Sequence, residues 1–337
     1  MRRTISIVVA VALVVAVGAT IFVARRRDHR TAVRAAVDAE VASYFEDPAV
    51  KAELAKRGYS LTLDVVPSSE IATRAATDDF AVAAGPFASH LSGTPAFSSP
   101  MVVVARVPVA DALVRLGAAQ RAGPYWTLNL TKVVQLAGSG VPLAGNRLVI
   151  GTTDLATSNA AAGFVAAAST AANGGHVLPS ASAADNVLNP LARLLNRGGP
   201  APSTAALWNS LLKPGGKLPM VWVYEAQFAS AAAGHATNGL ALLYPAPGIV
   251  SQVTVTARTA NGAAVRALLA GDPTLQSLAA RHGYRTASSA FDDFATAASV
   301  PFTPSPPAAP APAPATLDLV RNDLEIAWQH AQKAGRP

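Results

Sequence analysis

Residues 147–172 carry the strongest chemical signal in the chain: R-L-V-I-G, then T-T-D-L-A-T-S-N, then an alanine-rich run. Leu148–Ile150 has the β-branched content of a buried strand. Gly151 to Asn159 is small and hydroxylated, and alanine is the best helix former. Strand, polar loop and helix therefore follow one another, and the loop lies where a helix leaves its first N–H groups unpaired. Those donors and the positive end of the helix dipole seat an anion or a polar ligand, with Thr157, Ser158 and Asn159 adding side-chain contacts. The other reading of the same residues is that Ser158 or Asn159 only caps the helix.

Other polar tips stand at strand ends. Ser68-Ser69 follows a strand ending at Val66, Ser98-Ser99 precedes one at Met101, and Tyr224-Glu225 closes Val221–Val223. In open parallel sheets, ligands bind beyond the carboxyl ends of strands, so tips distant in sequence can share one cleft. Signatures of catalysis are missing: there is no G-x-S-x-G, H-E-x-x-H, G-x-G-x-x-G or G-x-x-x-x-G-K-[ST]. The histidines, at 29, 90, 176, 235, 282 and 330, are too scattered to form a ligand set by spacing. Asp78-Asp79 and Asp292-Asp293 are adjacent pairs whose side chains diverge on a strand or helix. The chain has no cysteine, which excludes thiol catalysis and disulfides. The sequence thus reads as a non-enzyme, with no metal and no cofactor.

The elements that would position these tips alternate between strand and helix. Strands are expected at 59–66, 79–85, 101–107, 148–150, 177–178, 220–224, 239–244 and 250–257. Helices are expected at 31–57 with a turn at Asp47-Pro48, and at 70–76, 109–116, 126–136, 160–172, 181–196, 203–212, 261–269 and 274–282. The first of these rests on Val33, Val37 and Val41, spaced by four. Such alternation implies an α/β fold with largely parallel sheets. Pro301–Pro314 reads as an extended, semi-rigid linker. Thr316–Lys333 reads as an amphipathic helix, with Leu317, Val320, Leu324, Ala327, Trp328 and Ala331 on one face.

The net charge of +7 is concentrated at one end: residues 1–34 hold seven arginines against Asp28, leaving +1 for the remainder. That basicity flanks an uncharged apolar run, Thr4–Ala24, and forms no stripe on a fold, so nucleic acid is excluded as a partner. About 20 apolar residues suffice to cross a bilayer. The expectation is an uncleaved transmembrane anchor over residues 1–30 with its flanks, hence a cell-membrane location; a signal peptide cut near Val17-Gly18-Ala19 is the alternative. Both flanks are basic, so charge bias alone does not orient the segment.

In order, the motifs resemble those of a bacterial extracytoplasmic solute-binding protein of the two-lobed, type II periplasmic-binding fold. They are strand-S-S-helix at 61–75, D-F-A-V-A-A-G-P at 79–86, S-S-P-M-V-V-V-A-R at 98–106, I-G-T-T-D-L-A-T-S-N at 150–159, V-W-V-Y-E-A-Q-F at 221–228 and L-L-Y-P-A-P-G at 242–248. L-L-A-G-D-P-T-L-Q-S-L-A-A-R-H-G-Y-R at 268–285 is similar to the closing helix and turn of such proteins. The resemblance implies a body over residues 31–300, with lobe one at 31–104 and 245–300 and lobe two at 105–244. It implies a linker at 301–315 and a helix at 316–337. It further implies hinge closure on a small polar or anionic solute, lined by Ser68, Ser69, Thr157, Ser158, Asn159 and Glu225. The family's opening strand has no counterpart here, since 31–57 reads as helix.

A narrower likeness is to actinobacterial membrane proteins in which this module precedes a von Willebrand factor A domain. Pro301–Pro337 resembles that connector, although no D-x-S-x-S metal motif occurs. The implied protein partners are a transporter or a von Willebrand factor A domain protein. Two further readings remain open: an interaction or scaffold protein that keeps the fold without a solute, its partner docking on 316–333, and a domain facing the cytoplasm.

Overall fold

The computed structural model describes residues 30–86, 91–195, 198–213, 215–216 and 218–334. The expected anchor, Thr4–Ala24, lies outside them, and no helix among the described residues is long and apolar enough to cross a membrane.

The chain opens with β1 (Thr31–Asp38), α1 (Ala42–Glu46), α2 (Pro48–Lys56), β2 (Tyr59–Val66), α3 (Ile71–Arg74) and β3 (Phe80–Ala84). There follow β4 (Thr94–Arg106), α4 (Val107–Arg115), β5 (Ala119–Ala122), β6 (Tyr125–Asn129), α5 (Leu130–Ser139), β7 (Pro142–Leu143), β8 (Asn146–Arg147) and β9 (Ile150–Gly151). Next come α6 (Asn159–Ala172), α7 (Asp185–Leu194), α8 (Thr204–Leu212), β10 (Met220–Tyr224), α9 (Glu225–Ala233), β11 (Leu240–Ala246) and β12 (Val250–Ala257). The series closes with α10 (Ala260–Gly271), α11 (Pro273–Arg281), α12 (Ala290–Ala297) and α13 (Pro314–Ala334).

One large sheet has two halves. In the first, β1 runs parallel between β2 and β3, and β12 pairs antiparallel with β3. In the second, β11 runs parallel to β6, and β10 parallel to β9. The 13-residue β4 belongs to both halves. It pairs with β12 as far as Pro100, and from Met101 onward with β10 and β11. The chain crosses back once more between β11 and β12, through the cis Ala246-Pro247 bond.

Helices cover both faces, so the central strands are apolar on both sides rather than alternating. Along β4, Met101, Val103 and Ala105 enter one core, while Val102 and Val104 enter the other. β10 divides likewise, with Met220, Trp222 and Tyr224 in the first core and Val221 and Val223 in the second. Asn159 to Ala171 of α6 are all buried, the pattern of a helix enclosed by its neighbours. Leu317, Val320, Leu324 and Trp328 of α13 pack inward against α6 and α7. The apolar face of that helix is therefore covered by its own chain. The Pro-rich segment before it lies against the crossover, where the Ala309 N–H donates to the Gly248 carbonyl at 2.8 Å.

Several expectations need correction. Residues 31–38 form a strand, not a helix, so the opening strand of the resembled fold is present. Val33, Val37 and Val41 are all buried, but their spacing of four reflects a strand followed by a turn. Tyr125–Asn129 is likewise a strand, and the expected helix begins only at Leu130, capped by the Asn129 side chain on Lys132 N–H at 2.9 Å. Val177–Leu178 forms no strand, and of the run at 148–150 only Ile150 pairs, continuing to Gly151.

Candidate functional site

Parallel pairing carries the carboxyl ends of β1, β2 and β3 to one edge of the first half-sheet. Asp38 ends β1, Ser68 follows β2, and Gly85 follows β3. Across from them stand the loop after β9, the start of α6 and the end of β10.

Asp38 is fully buried. Its carboxylate accepts from the Ser68 hydroxyl at 2.9 Å, the Asn159 side-chain amide at 2.6 Å, the Glu40 N–H at 3.0 Å and the Ala84 N–H at 3.4 Å. The Asn159 N–H donates back to Ser68 Oγ at 3.2 Å, and the Ser69 N–H donates to the Thr157 carbonyl at 3.3 Å. The two half-sheets are thus joined by direct hydrogen bonds. Gly85 sits beneath, where a Cβ would lie 3.3 Å from Asn159 Oδ1.

Glu40 completes the junction. Its carboxylate accepts from the Ser158 and Tyr224 hydroxyls, and from the Ala160 N–H at 3.0 and 3.2 Å. A carboxylate from the first half therefore occupies the positive end of α6 in the second. Ser158 is also the helix cap, accepting from the Ala161 N–H at 3.4 Å, and lies 2.7 Å from Thr153 Oγ1. Thr157 is held by Asp154, whose Oδ1 accepts from its N–H at 2.9 Å and its hydroxyl at 2.8 Å. Ser158 caps the helix, and the anion at its positive end is the chain's own Glu40 carboxylate.

Burial of these acids disfavours their charged forms. Burial and then the neighbouring Asp38 charge push Glu40 up to about 7, against the opposing bonds from Ser158, Tyr224 and Ala160. Burial raises Asp38 as well, despite its four donors. Burial, and then the Glu40 charge, holds the Tyr224 phenol well above its ordinary range.

Beside the junction opens a cleft of about 540 Å³. Glu40, Ser68, Thr157, Ser158, Trp208, Tyr224, Gln227, His282 and Tyr284 are among the residues that line it. The His282 Nε2 lies 2.8 Å from Asp47 Oδ2, and that contact holds Asp47 below the usual carboxylate range. Among the described residues, no cluster of three or more His, Asp or Glu is placed to hold a metal ion.

Of the six residues singled out in the sequence, Ser68, Thr157 and Ser158 line the cleft, while Ser69 and Asn159 tie the halves together behind it. Glu225 does neither. It is fully buried at the start of α9, where Arg285 donates to it from Nε at 2.6 Å and from Nη2 at 2.7 Å. The Tyr244 hydroxyl also donates to Glu225, and Arg285 reaches on to the Thr303 carbonyl at 2.6 Å. Glu225 is thus a structural ion-pair partner. Sequence reasoning missed Asp38 and Glu40 because one ends and the other follows a strand whose residues have helical spacing. V-D-A-E at a strand's carboxyl end is the signal that would have found them.

Neither a family model nor a curated protein sequence matches this chain. Solved structures do. A periplasmic thiamin binding protein superposes with a TM-score of 0.62 at 12% identity, covering 90% of this chain and 97% of its own. The substrate binding protein of an ABC transporter from Agrobacterium tumefaciens gives 0.57 at 12%, covering 91% and 95%. The sulfate-binding protein SubI from Mycobacterium tuberculosis H37Rv gives 0.54 at 15%, covering 83% and 93%. At these identities the likeness is one of fold, and the chain has the mixed α/β fold, built on a large sheet, of ABC substrate-binding proteins.

Proposed function

We propose that this chain is a membrane-anchored, extracytoplasmic solute-binding protein that closes two lobes on a small polar ligand. Lobe one comprises 31–104 and 245–300, lobe two 105–244, and the hinge is the pair of crossings through β4 and between β11 and β12. The observation that carries this reading is a cleft lined from both halves, by Ser68 and Glu40 of one and by Thr157, Ser158 and Tyr224 of the other. Its volume is that of a small-molecule site. Ser69 and Asn159 act behind the wall, ordering the closed form. The apolar run Thr4–Ala24 supports the anchor, and a transporter or a von Willebrand factor A domain protein is the partner class. The protein works by binding, without catalysis.

A thermal-shift screen of the full chain in detergent against sugars, amino acids, oxyanions and peptides tests this. Saturable stabilisation by one class is the expected result; none from any class, in folded protein, refutes it. One observation favours a second reading, a scaffold that keeps the fold without a solute. The junction is closed by the chain's own side chains, with Glu40 standing where a ligand's anionic group would sit. Unchanged melting throughout the screen, with a protein partner retained in pull-downs, would support it.

A further inference from the structure

Taking the cleft as a solute site, as proposed above, we infer that its ligand is a small organic cation rich in N–H donors, an ammonium or amidinium compound, and not an oxyanion. Two independent sets of observations lead there.

The first concerns what is already taken. Of the helix starts that meet this edge, that of α6 is covered by the Glu40 carboxylate, and that of α8 is capped by the Ser203 hydroxyl, which accepts from the Ala206 N–H at 3.1 Å. Ser158 and Tyr224, the hydroxyls that would otherwise complete an anion seat, donate to the same carboxylate. An incoming oxyanion would have to displace a tethered group of its own sign, with Asp38 buried just behind.

The second concerns what the remaining wall presents. No lysine or arginine is among the described residues that line the cleft. Its acidic and basic side groups are the Glu40 carboxylate, His282, whose Nε2 is engaged by Asp47, and the phenols of Tyr224 and Tyr284, which burial holds in their neutral form. Gln227 contributes a buried side-chain carbonyl oxygen with no hydrogen-bond partner, an acceptor whose desolvation is uncompensated until a donor arrives. The Trp208 and Tyr284 rings border the same space. Aromatic faces beside a carboxylate attract ammonium and guanidinium groups and repel anions. A ligand whose charged end lies against Glu40, whose N–H meets Gln227 Oε1 and whose body lies on Trp208 uses all three of these features.

The test is calorimetric titration of the full chain in detergent at pH 8 with matched probes: agmatine, arginine and benzamidine as cations, sulfate and phosphate as anions, and mannitol as a neutral polyol. At least one cation is expected to bind saturably while the anions and mannitol do not. Glu40→Gln and Gln227→Leu are each expected to weaken that cation by about tenfold. Gln227 takes no part in the bonds joining the halves, so its variant remains informative if the first fails to fold. Binding of sulfate, phosphate or mannitol with the cations silent overturns the cation assignment and leaves the solute-binding reading standing. Binding of nothing at all overturns that underlying reading. A cation bound equally well by both variants and the parent overturns the roles given to Glu40 and Gln227.

Discussion

Replacing Glu40 by glutamine tests whether an ionisable group really bridges the two halves. Its carboxyl is pushed up to about 7 in the folded chain, against an ordinary value of 4.5. Between those values the native state holds a proton that the unfolded chain has released. Its stabilising contribution is therefore complete below pH 4.5 and is lost as pH rises through 7. One proton over that interval, at about 1.4 kcal/mol per pH unit, bounds the loss at about 3.5 kcal/mol. Asp38 is raised too and adds a loss of the same sign, whereas the lowering of Asp47 acts below its ordinary 3.8, outside the window. Glutamine removes the Glu40 contribution. At pH 5 it turns an amide N–H₂ toward donors from Ser158, Tyr224 or Ala160 and costs about 1–2 kcal/mol. Above pH 7.5 it avoids burying a charge and the variant matches or exceeds the parent. Urea unfolding from pH 5 to 8.5 should therefore show the parent falling more steeply and the two curves crossing. Parallel pH profiles for parent and variant would refute the reasoning.

Asn159→Ala removes the 2.6 Å bond to Asp38 that helps join the halves, and small-angle scattering should show a larger radius of gyration than the parent's; identical curves would show that this bond does not hold them. Arg285→Ala leaves Glu225 buried without its counter-charge and is expected to cost about 3–5 kcal/mol by urea denaturation. Burial opposes the Arg285 charge and Glu225 more than offsets it, so that guanidinium stays charged in the parent across the measurement. Trp328→Ala empties a fully buried site between α13 and the body, costing about 3–5 kcal/mol, and limited proteolysis should then cut within 301–313 before the core is attacked.

The loop at 151–159 was legible because its determinants are local. A hydroxyl-rich turn before an alanine run dictates a capped helix start, and Ser158 is that cap. M-V-W-V-Y at 220–224 was legible for a similar reason, five bulky residues bounded by a turn and a helix. β1 was not, because T-A-V-R-A-A-V-D has valines spaced by four among good helix formers. What makes it a strand is pairing with residues remote in sequence: Ala35 with Leu63 on one side and with Phe80 on the other. Buried on both sides, it shows no strand alternation to read. That one misreading hid Asp38 and Glu40 together. Glu225 was placed correctly at a strand end and still given the wrong task, since nothing near it indicates that Arg285, 60 residues on, will claim both of its oxygens.

The sharing of β4 between the halves has a consequence for the order of assembly. Every strand of the second half-sheet lies between Met101 and Ala246, one unbroken stretch of chain. The first half-sheet lacks β12 until residue 257 is made, and β12 is the strand that connects β3 to β4. A chain emerging from the ribosome therefore completes the later half first, while β1, β2 and β3 wait as a detached parallel ribbon for a partner some 170 residues downstream. The final closure of that long loop is the slow, entropy-laden step, and the same step creates the cleft. Pulse-labelling hydrogen exchange during refolding should accordingly protect β10 and β11 before β3.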